Sequence, residues 1–131
     1  MNTTHVRICL SLVLGAALWG CANDANTTRK RDADEGVVHT ATPEERLATR
    51  STTPVASSAV VLYVNGLGCP LCATNIDKQL LRNRSIATAT VDLGAGTVLV
   101  TFKEGAAHPT PDRLRNIVED AGFTLIKVET K

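Results

Sequence analysis

The chain of 131 residues is the right size for one small domain, and its 14 basic residues almost balance its 13 acidic residues. This near-neutral charge provides no basic surface for a nucleic-acid partner, so we expect none. The sequence also shows no Ser/His/Asp constellation, phosphate loop or carboxylate pair that would argue for hydrolysis or phosphoryl transfer, and we expect a non-enzymatic protein.

Residues 1–20 have the features of a signal peptide rather than of a folded domain. Arg7 ends a polar start, and the apolar run that follows is shorter than the roughly 20 residues that a membrane span needs. Residues 18–21, LWGC, resemble a bacterial lipoprotein cleavage box, although its Trp19 is atypical. We therefore expect cleavage before Cys21 and lipidation of that residue. An ordinary secretory signal with an incidental cysteine is the alternative.

A lipid on Cys21 would make the protein a lipoprotein of the cell envelope that faces the periplasm and reaches the membrane through its lipid anchor. Ala22 is not the Asp that usually retains lipoproteins in the inner membrane, so we expect the outer membrane. Of the 4 cysteines, Cys9 would be lost with the signal peptide, which leaves Cys69 and Cys72 as the thiols available for chemistry.

Residues 21–58 contain few large apolar side chains and many Thr, Ala, Ser, Asp and Arg residues. Such a composition cannot offset the entropy cost of ordering, so this segment is predicted to be a disordered tether. At most, a transient helical turn or two is expected between Glu44 and Arg50. His39 is expected to be a solvated residue of the tether rather than a metal ligand.

A strand, a glycine-bearing loop and a helix follow from Ala59 onward. The strand is predicted from strict alternation of apolar residues up to Val64, and glycines then allow a tight loop. Pro70 suits the first turn of a helix because its missing N–H costs nothing there. The spacing of Cys72, Ile76 and Leu80 predicts that these residues form the buried face of this helix.

The remaining elements complete an α+β domain over residues 59–131. A strand from Ile86 with an irregular alternation, a hairpin turn at 94–96 and a third strand come first. A second helix starts with Thr110 as N-cap and stops at Gly122, and Ile126 and Val128 mark a fourth strand. The order βαββαβ is that of the ferredoxin-like sandwich, with two helices on a four-stranded antiparallel sheet.

Cys69 and Cys72 lie three positions apart at a predicted helix start. Unpaired backbone N–H groups and the positive end of the helix dipole lower the pKa of thiols in such a place, and the thiolate is the metal ligand. Soft sulfur ligands select soft cations. A closed structural zinc site needs about four ligands, whereas two suit Cu(I) or Hg(II), and the domain contains no second pair.

Residues 66–72, GLGCPLC, resemble the Gly-Met-Thr-Cys-x-x-Cys loop of the heavy-metal-associated domain, the family of small copper chaperones and the periplasmic mercury-binding protein. Residues 91–93, VDL, and 118–123, VEDAGF, match the same family in the same order, and the resemblance covers Ala59–Glu129. Leu67 replaces the usual Met, a nearly volume-conserving change. Gly68 replaces the usual Thr and should loosen the loop.

The resemblance implies a soft-metal carrier or scavenger with Cys69 and Cys72 as ligands and Gly66, Leu67 and Gly68 as loop support. It implies Cu(I) first, with Hg(II), Zn(II) and Cd(II) as alternatives. The expected partner is a metal-transporting ATPase or another heavy-metal-associated domain, which would take the ion by thiolate exchange.

The predicted topology places Phe123 beside the thiols and His108 at the opposite end of the domain. Phe123 is expected to pack there and to shield the metal ion, while His108 is a poor ligand candidate. Cys69, in the loop, is expected to be the more exposed sulfur. Two alternatives stay open for the cysteine pair: a thiol-disulfide redox module, or a structural or interaction domain with an inert disulfide.

Overall fold

A computed structural model describes residues 36–131 of the chain. The predicted signal peptide, the lipidation of Cys21 and the first part of the predicted tether lie outside these residues. Within them, the elements in chain order are α1 (Pro43–Ala48), β1 (Ala59–Asn65), α2 (Pro70–Leu81), β2 (Ile86–Asp92), β3 (Thr97–Phe102), α3 (Pro111–Asp120) and β4 (Thr124–Thr130).

The strands form a four-stranded sheet in the order β2-β3-β1-β4. Each neighbouring pair is antiparallel, and α2 and α3 pack against each other as well as against the sheet. The predicted ferredoxin-like α+β fold is therefore confirmed, with α1 as an additional helix in the described part of the chain. None of the helices between residues 36 and 131 has the length and apolar character needed to cross a bilayer.

The core lies between the sheet and the helices α2 and α3. The alternation in β1 and β3 sends every second side chain inward, and those side chains are buried. Each such burial stabilises the fold by about 1.5–3 kcal/mol. The fully buried members from strands and helices are Val60, Leu62, Val64, Ile86, Val98, Val100, Ile76, Leu80, Leu114 and Val118.

Two irregularities in the sheet change which residues face the core. The register between β1 and β4 shifts where Tyr63 pairs with Lys127 and Val64 pairs with Leu125, so Ile126 is the extra residue of a bulge. Leu125 is consequently buried, whereas Ile126, one of the two residues from which the sequence predicts this strand, is only half-buried. The irregular alternation predicted near Ile86 corresponds to a second register shift, in β2.

Residues 36–58 are ordered, and the prediction of a disordered tether is wrong for this part of the chain. Val55 is buried in the core, and its N–H donates to the Pro109 carbonyl at 3.2 Å. The Asp112 N–H donates to the Ser51 carbonyl at 3.1 Å, which ties the segment to the start of α3. Composition missed this order because a few specific hydrogen bonds and one buried valine hold the segment, rather than a broad apolar face.

Candidate metal centre

The cysteines lie at the junction between β1 and α2. Cys69 occupies the N-cap of α2 with extended backbone angles (φ −112°, ψ 122°), and Pro70 is the first helical residue. The Ala73 N–H donates to the Cys69 carbonyl at 3.0 Å, which is the first hydrogen bond of the helix. Cys72 is therefore the third residue of α2, within the first turn.

This placement puts both cysteines at the same end of α2, one at its N-cap and one in its first turn. The first turn of α2 carries no acidic residue. The positive end of the helix dipole therefore acts on the two sulfurs without a competing carboxylate in that turn. Such a site favours negatively charged sulfur, the form that binds metal ions.

The exposure of the two cysteines differs from the sequence-based expectation. Cys72 is exposed and Cys69 is only partly so, although Cys69 was expected to be the more accessible sulfur. The buried face of α2 consists of Ala73, Ile76 and Leu80 rather than Cys72, Ile76 and Leu80. With 3.6 residues per turn, a face centred on Ala73 turns Cys72 toward solvent.

The loop before the cysteines is anchored from below by Leu67, which has no exposed surface. Gly66 has a φ of 97°, a conformation that favours glycine. A Cβ at Gly66 would lie 3.4 Å from the Cδ1 atom of Phe123, so the Phe123 ring packs directly against the loop. Phe123 is itself buried, at 8% exposure.

The end of α3 positions Phe123. Gly122 has a φ of 92°, and the Phe123 N–H donates to the Val118 carbonyl at 3.1 Å, which closes the helix. The Asn75 side chain donates from Nδ2 to the Ala121 carbonyl at 3.0 Å and so links α2 to this end of α3. The start of α2, the loop and the end of α3 thus form one packed unit.

The model of the heavy-metal-associated domain family matches residues 61–124, a range that includes both cysteines. Residues 61–124 are a heavy-metal-associated domain. The comparison with proteins of curated function finds no match to this chain.

Solved structures of similar shape come from several sources. A yeast copper transporter domain studied in apo and Cu(I)-loaded states is 25% identical, with a TM-score of 0.49, and the match covers 57% of this chain and 100% of that one. A CopZ metallochaperone is 23% identical, with a TM-score of 0.48 and coverage of 53% and 100%. A heavy-metal-binding protein from Thermotoga maritima is 19% identical, with a TM-score of 0.44 and coverage of 56% and 98%.

Within the heavy-metal-associated domain, His108 lies away from the cysteines. Its Nδ1 atom lies 2.9 Å from the Val55 carbonyl oxygen, and its ring is 4.7 Å from that of Phe102. These contacts are at the entry to α3, whereas the cysteines are at the exit of β1. In residues 36–131, no cluster of three or more His, Cys, Asp or Glu side chains is arranged to hold a metal ion.

His39 is part of the packed structure, so its prediction as a solvated tether residue is wrong. Its N–H donates to Oδ1 of Asn65 at 2.7 Å, and its Nε2 atom lies 3.0 Å from the Gly96 carbonyl oxygen. Its ring meets the Tyr63 ring edge-on at a centroid distance of 5.2 Å. No motif in the sequence indicates this role, because the partners are separated from His39 by 24 or more positions.

Charged groups surround Tyr63 on the same face of the sheet as His39. The Tyr63 hydroxyl donates to Oε2 of Glu129 at 2.8 Å, and this hydrogen bond raises the pKa of Tyr63 above its ordinary value. Lys127 lies over the Tyr63 ring at 4.4 Å from its centroid and pairs with Glu45 of α1 at 3.6 Å. The N-terminal segment thus contacts the domain through polar groups on this face.

Proposed function

We propose that this chain binds a soft metal ion, Cu(I) first, through Cys69 and Cys72, and acts as a non-enzymatic carrier or scavenger. The observation that supports the proposal is the position of both cysteines at the start of α2 within a heavy-metal-associated domain. The Phe123 ring, packed against Gly66, adds an apolar wall beside the loop. Leu67 holds the loop from below, and Gly68 lies between it and the first cysteine.

The donor set favours Cu(I) over the alternatives. Thiolates are soft ligands that prefer Cu(I) and other soft cations. Zn(II) in a closed site takes about four ligands, and Cys69 and Cys72 supply only two. Hg(II) also suits two sulfurs, so it is the strongest competitor, while Zn(II) and Cd(II) would need ligands from solvent or from a partner.

Exposure at the start of α2 suits exchange of the ion with a partner. Cys72 is exposed, and the adjacent Leu71 is 83% exposed, which is unusual for a leucine. A partner thiolate would bind the ion first, and the sulfur of Cys72 or Cys69 would then leave, so the ion is never released to water. The partner class we propose is a metal-transporting ATPase or another heavy-metal-associated domain.

The cellular setting belongs to the proposal and rests on the sequence alone. Lipidated Cys21 would anchor the chain to a membrane of the cell envelope, with the outer membrane expected. Mass spectrometry of membrane fractions should find the lipid on Cys21, and Cys21→Ser should release a soluble product. Wild-type chain that is soluble and carries no lipid would contradict the anchor without affecting the metal site.

Competition with a chromophoric Cu(I) chelator under reducing conditions tests the central function. The chain should bind one Cu(I), and the double substitution Cys69→Ser, Cys72→Ser should abolish binding. Tight binding by the double variant would contradict the assignment of the ligands. An insulin-reduction assay on the same samples tests the redox alternative, and catalytic turnover there would replace the carrier function.

A further inference from the structure

The segment Gly36–Ala41, here called the strap, runs against the loop that carries the cysteines. The φ of Gly36 is 66°, and a Cβ at this position would lie 2.8 Å from the backbone C atom of Leu67 and 2.8 Å from the backbone N atom of Gly68. Such distances are available only to glycine. The strap therefore contacts the backbone of the loop one residue before Cys69.

Side-chain hydrogen bonds fix the strap at the end of β1. Asn65 accepts from the His39 N–H through Oδ1 at 2.7 Å and donates from Nδ2 to the His39 carbonyl at 3.0 Å. Asn65 is the last residue of β1 and directly precedes the loop. This paired contact ties the strap to the point where the chain leaves the sheet.

The β2–β3 hairpin supplies the third contact. The Gly96 carbonyl receives the Val64 N–H at 3.0 Å and also lies 3.0 Å from Nε2 of His39. A Cβ at Gly96 would lie 2.7 Å from that Nε2 atom and 3.0 Å from Cβ of Val37. The strap thus passes between the hairpin and the loop, and two glycines make room for it.

We infer that the strap is a positioning element of the metal site, which holds residues 66–69 in the conformation that presents both sulfurs. The inference rests on the proposed function. It also accounts for Gly68, which should leave the loop looser than a threonine would. Backbone contact with Gly36 replaces the lost stiffness, so metal affinity depends on a segment about thirty residues upstream of the cysteines.

Two matched pairs of substitutions in the full chain test the inference. Gly36→Ala places a methyl group against the loop, while Gly105→Ala introduces the same left-handed strain (φ 72° against 66°) where nothing lies within 4 Å. His39→Ala and His108→Ala each remove one imidazole–carbonyl contact, of 3.0 Å and 2.9 Å, and one aromatic contact. Gly36 and His39 lie in the strap, whereas Gly105 and His108 lie outside it.

Chelator competition should show Cu(I) affinity weakened by about tenfold in Gly36→Ala and by about threefold in His39→Ala, as expected for the loss of one or two net contacts. Gly105→Ala and His108→Ala should keep wild-type affinity, although each costs some thermal stability, Gly105→Ala through its left-handed strain and His108→Ala through its lost contacts. Equal affinity within both pairs would overturn the inference, and the histidine pair decides the matter if Gly36→Ala does not fold.

Hydrogen exchange on the metal-free chain separates this inference from the proposed function. The amides of Leu67 and Gly68 should exchange faster in Gly36→Ala than in Gly105→Ala. If the wild-type chain binds no Cu(I), the proposed function is contradicted, but the exchange rates of these two amides still test the strap. Unchanged exchange in Gly36→Ala would instead contradict the strap while the metal site stands.

Discussion

The starts of α2 and α3 share one design and differ in one respect. Each has an N-cap residue followed by proline as the first helical residue. In α3 the N-cap is Thr110, whose hydroxyl accepts from the Arg113 N–H at 3.1 Å, and Asp112 follows in the first turn. In α2 the N-cap is Cys69, and no acid follows in its first turn.

The difference separates a helix start with the usual stabilising groups from the one that carries the proposed metal site. A good N-cap contributes about 1 kcal/mol, and a carboxylate in the first turn adds about 0.3–1 kcal/mol. Cysteine is not among the favoured N-caps, so α2 forgoes much of this. In return, the positive end of the helix would be available to a thiolate and its metal ion at the proposed site. The start of α1 repeats the α3 solution, with Thr42 as N-cap and Glu44 and Glu45 in the first turn.

The largest effect should come from the residue that anchors the approach to α2. Leu67 is fully buried, so Leu67→Ala should cost about 2–5 kcal/mol of unfolding free energy through the cavity it leaves. Leu71, four residues later and 83% exposed, is the matched control, and Leu71→Ala should cost less than about 0.5 kcal/mol. Urea unfolding measures both, and similar costs would show that the loop is not anchored by Leu67.

The next largest effect on stability should come from the N-cap of α3. Thr110→Ala removes the acceptor for the Arg113 N–H and should lower the unfolding free energy by about 1 kcal/mol. Thr110→Ser retains a hydroxyl and should stay close to wild type. Chemical denaturation of the three chains measures the difference. If Thr110→Ala has the same free energy of unfolding as wild type, the cap of α3 does not contribute the stability that the comparison with α2 assumes.

Restoring a good cap to α2 should have the opposite sign. Cys69→Ser introduces a favoured N-cap and should raise the stability of the metal-free chain by several tenths of a kcal/mol, up to about 1 kcal/mol, while Cu(I) binding is lost. Cys72→Ser, inside the first turn, serves as the control and should leave stability almost unchanged. A Cys69→Ser chain less stable than wild type would mean that Cys69 supports the fold, not only the site.

A smaller effect is expected for the rates at which the two thiols react with an alkylating reagent. Because Cys72 is exposed and Cys69 is partly buried, iodoacetamide should alkylate Cys72 several-fold faster in the reduced, metal-free chain. Site-resolved mass spectrometry reads both rates, and the rates in urea-unfolded chain provide the reference. Faster modification of Cys69 in the folded chain would contradict the orientation of the first turn.

The smallest effect concerns the capping box of α1. The Thr42 N–H donates to Oε2 of Glu45 at 2.9 Å, and this bond, with help from Lys127, lowers the pKa of Glu45 below its ordinary value of 4.5. A carboxyl whose pKa is lowered by folding stabilises the fold above its unfolded pKa, and this contribution disappears as the pH falls through the folded pKa. α1 should therefore loosen at a pH below 4.5.

NMR titration of α1 amides checks this dependence. Glu45→Gln is the control, because glutamine also completes a capping box but carries no charge. The low-pH transition should be present in wild type and absent in Glu45→Gln. A transition of equal size in both chains would mean that another group controls the order of α1.

The sequence was sufficient for the parts of the molecule that depend on periodicity and turn chemistry. The alternation up to Val64 and the Thr110–Pro111 helix start predicted the sheet and α3, because each follows from local geometry. For the buried face of α2, the sequence predicts Ile76 and Leu80 correctly but Cys72 wrongly, since both Cys72 and Ala73 fit an apolar spacing with Ile76 and Leu80. Only packing against the sheet decides between them.

The N-terminal segment shows what composition cannot reveal. Its order depends on contacts between distant positions, such as the pair formed by His39 and Asn65. Neither residue type signals a fixed partner, and Gly36 reads as an ordinary linker glycine until its closeness to Gly68 is known. The sequence therefore predicts the cysteine pair but not the segment that braces its loop.

Copper K-edge X-ray absorption on the reduced, Cu(I)-loaded full chain tests most directly whether the start of α2 is a two-thiolate metal site. The account predicts a first coordination shell made of two sulfur atoms, which is lost in the double variant Cys69→Ser, Cys72→Ser. A shell dominated by nitrogen or oxygen ligands, or a sulfur shell that survives in the double variant, would contradict it.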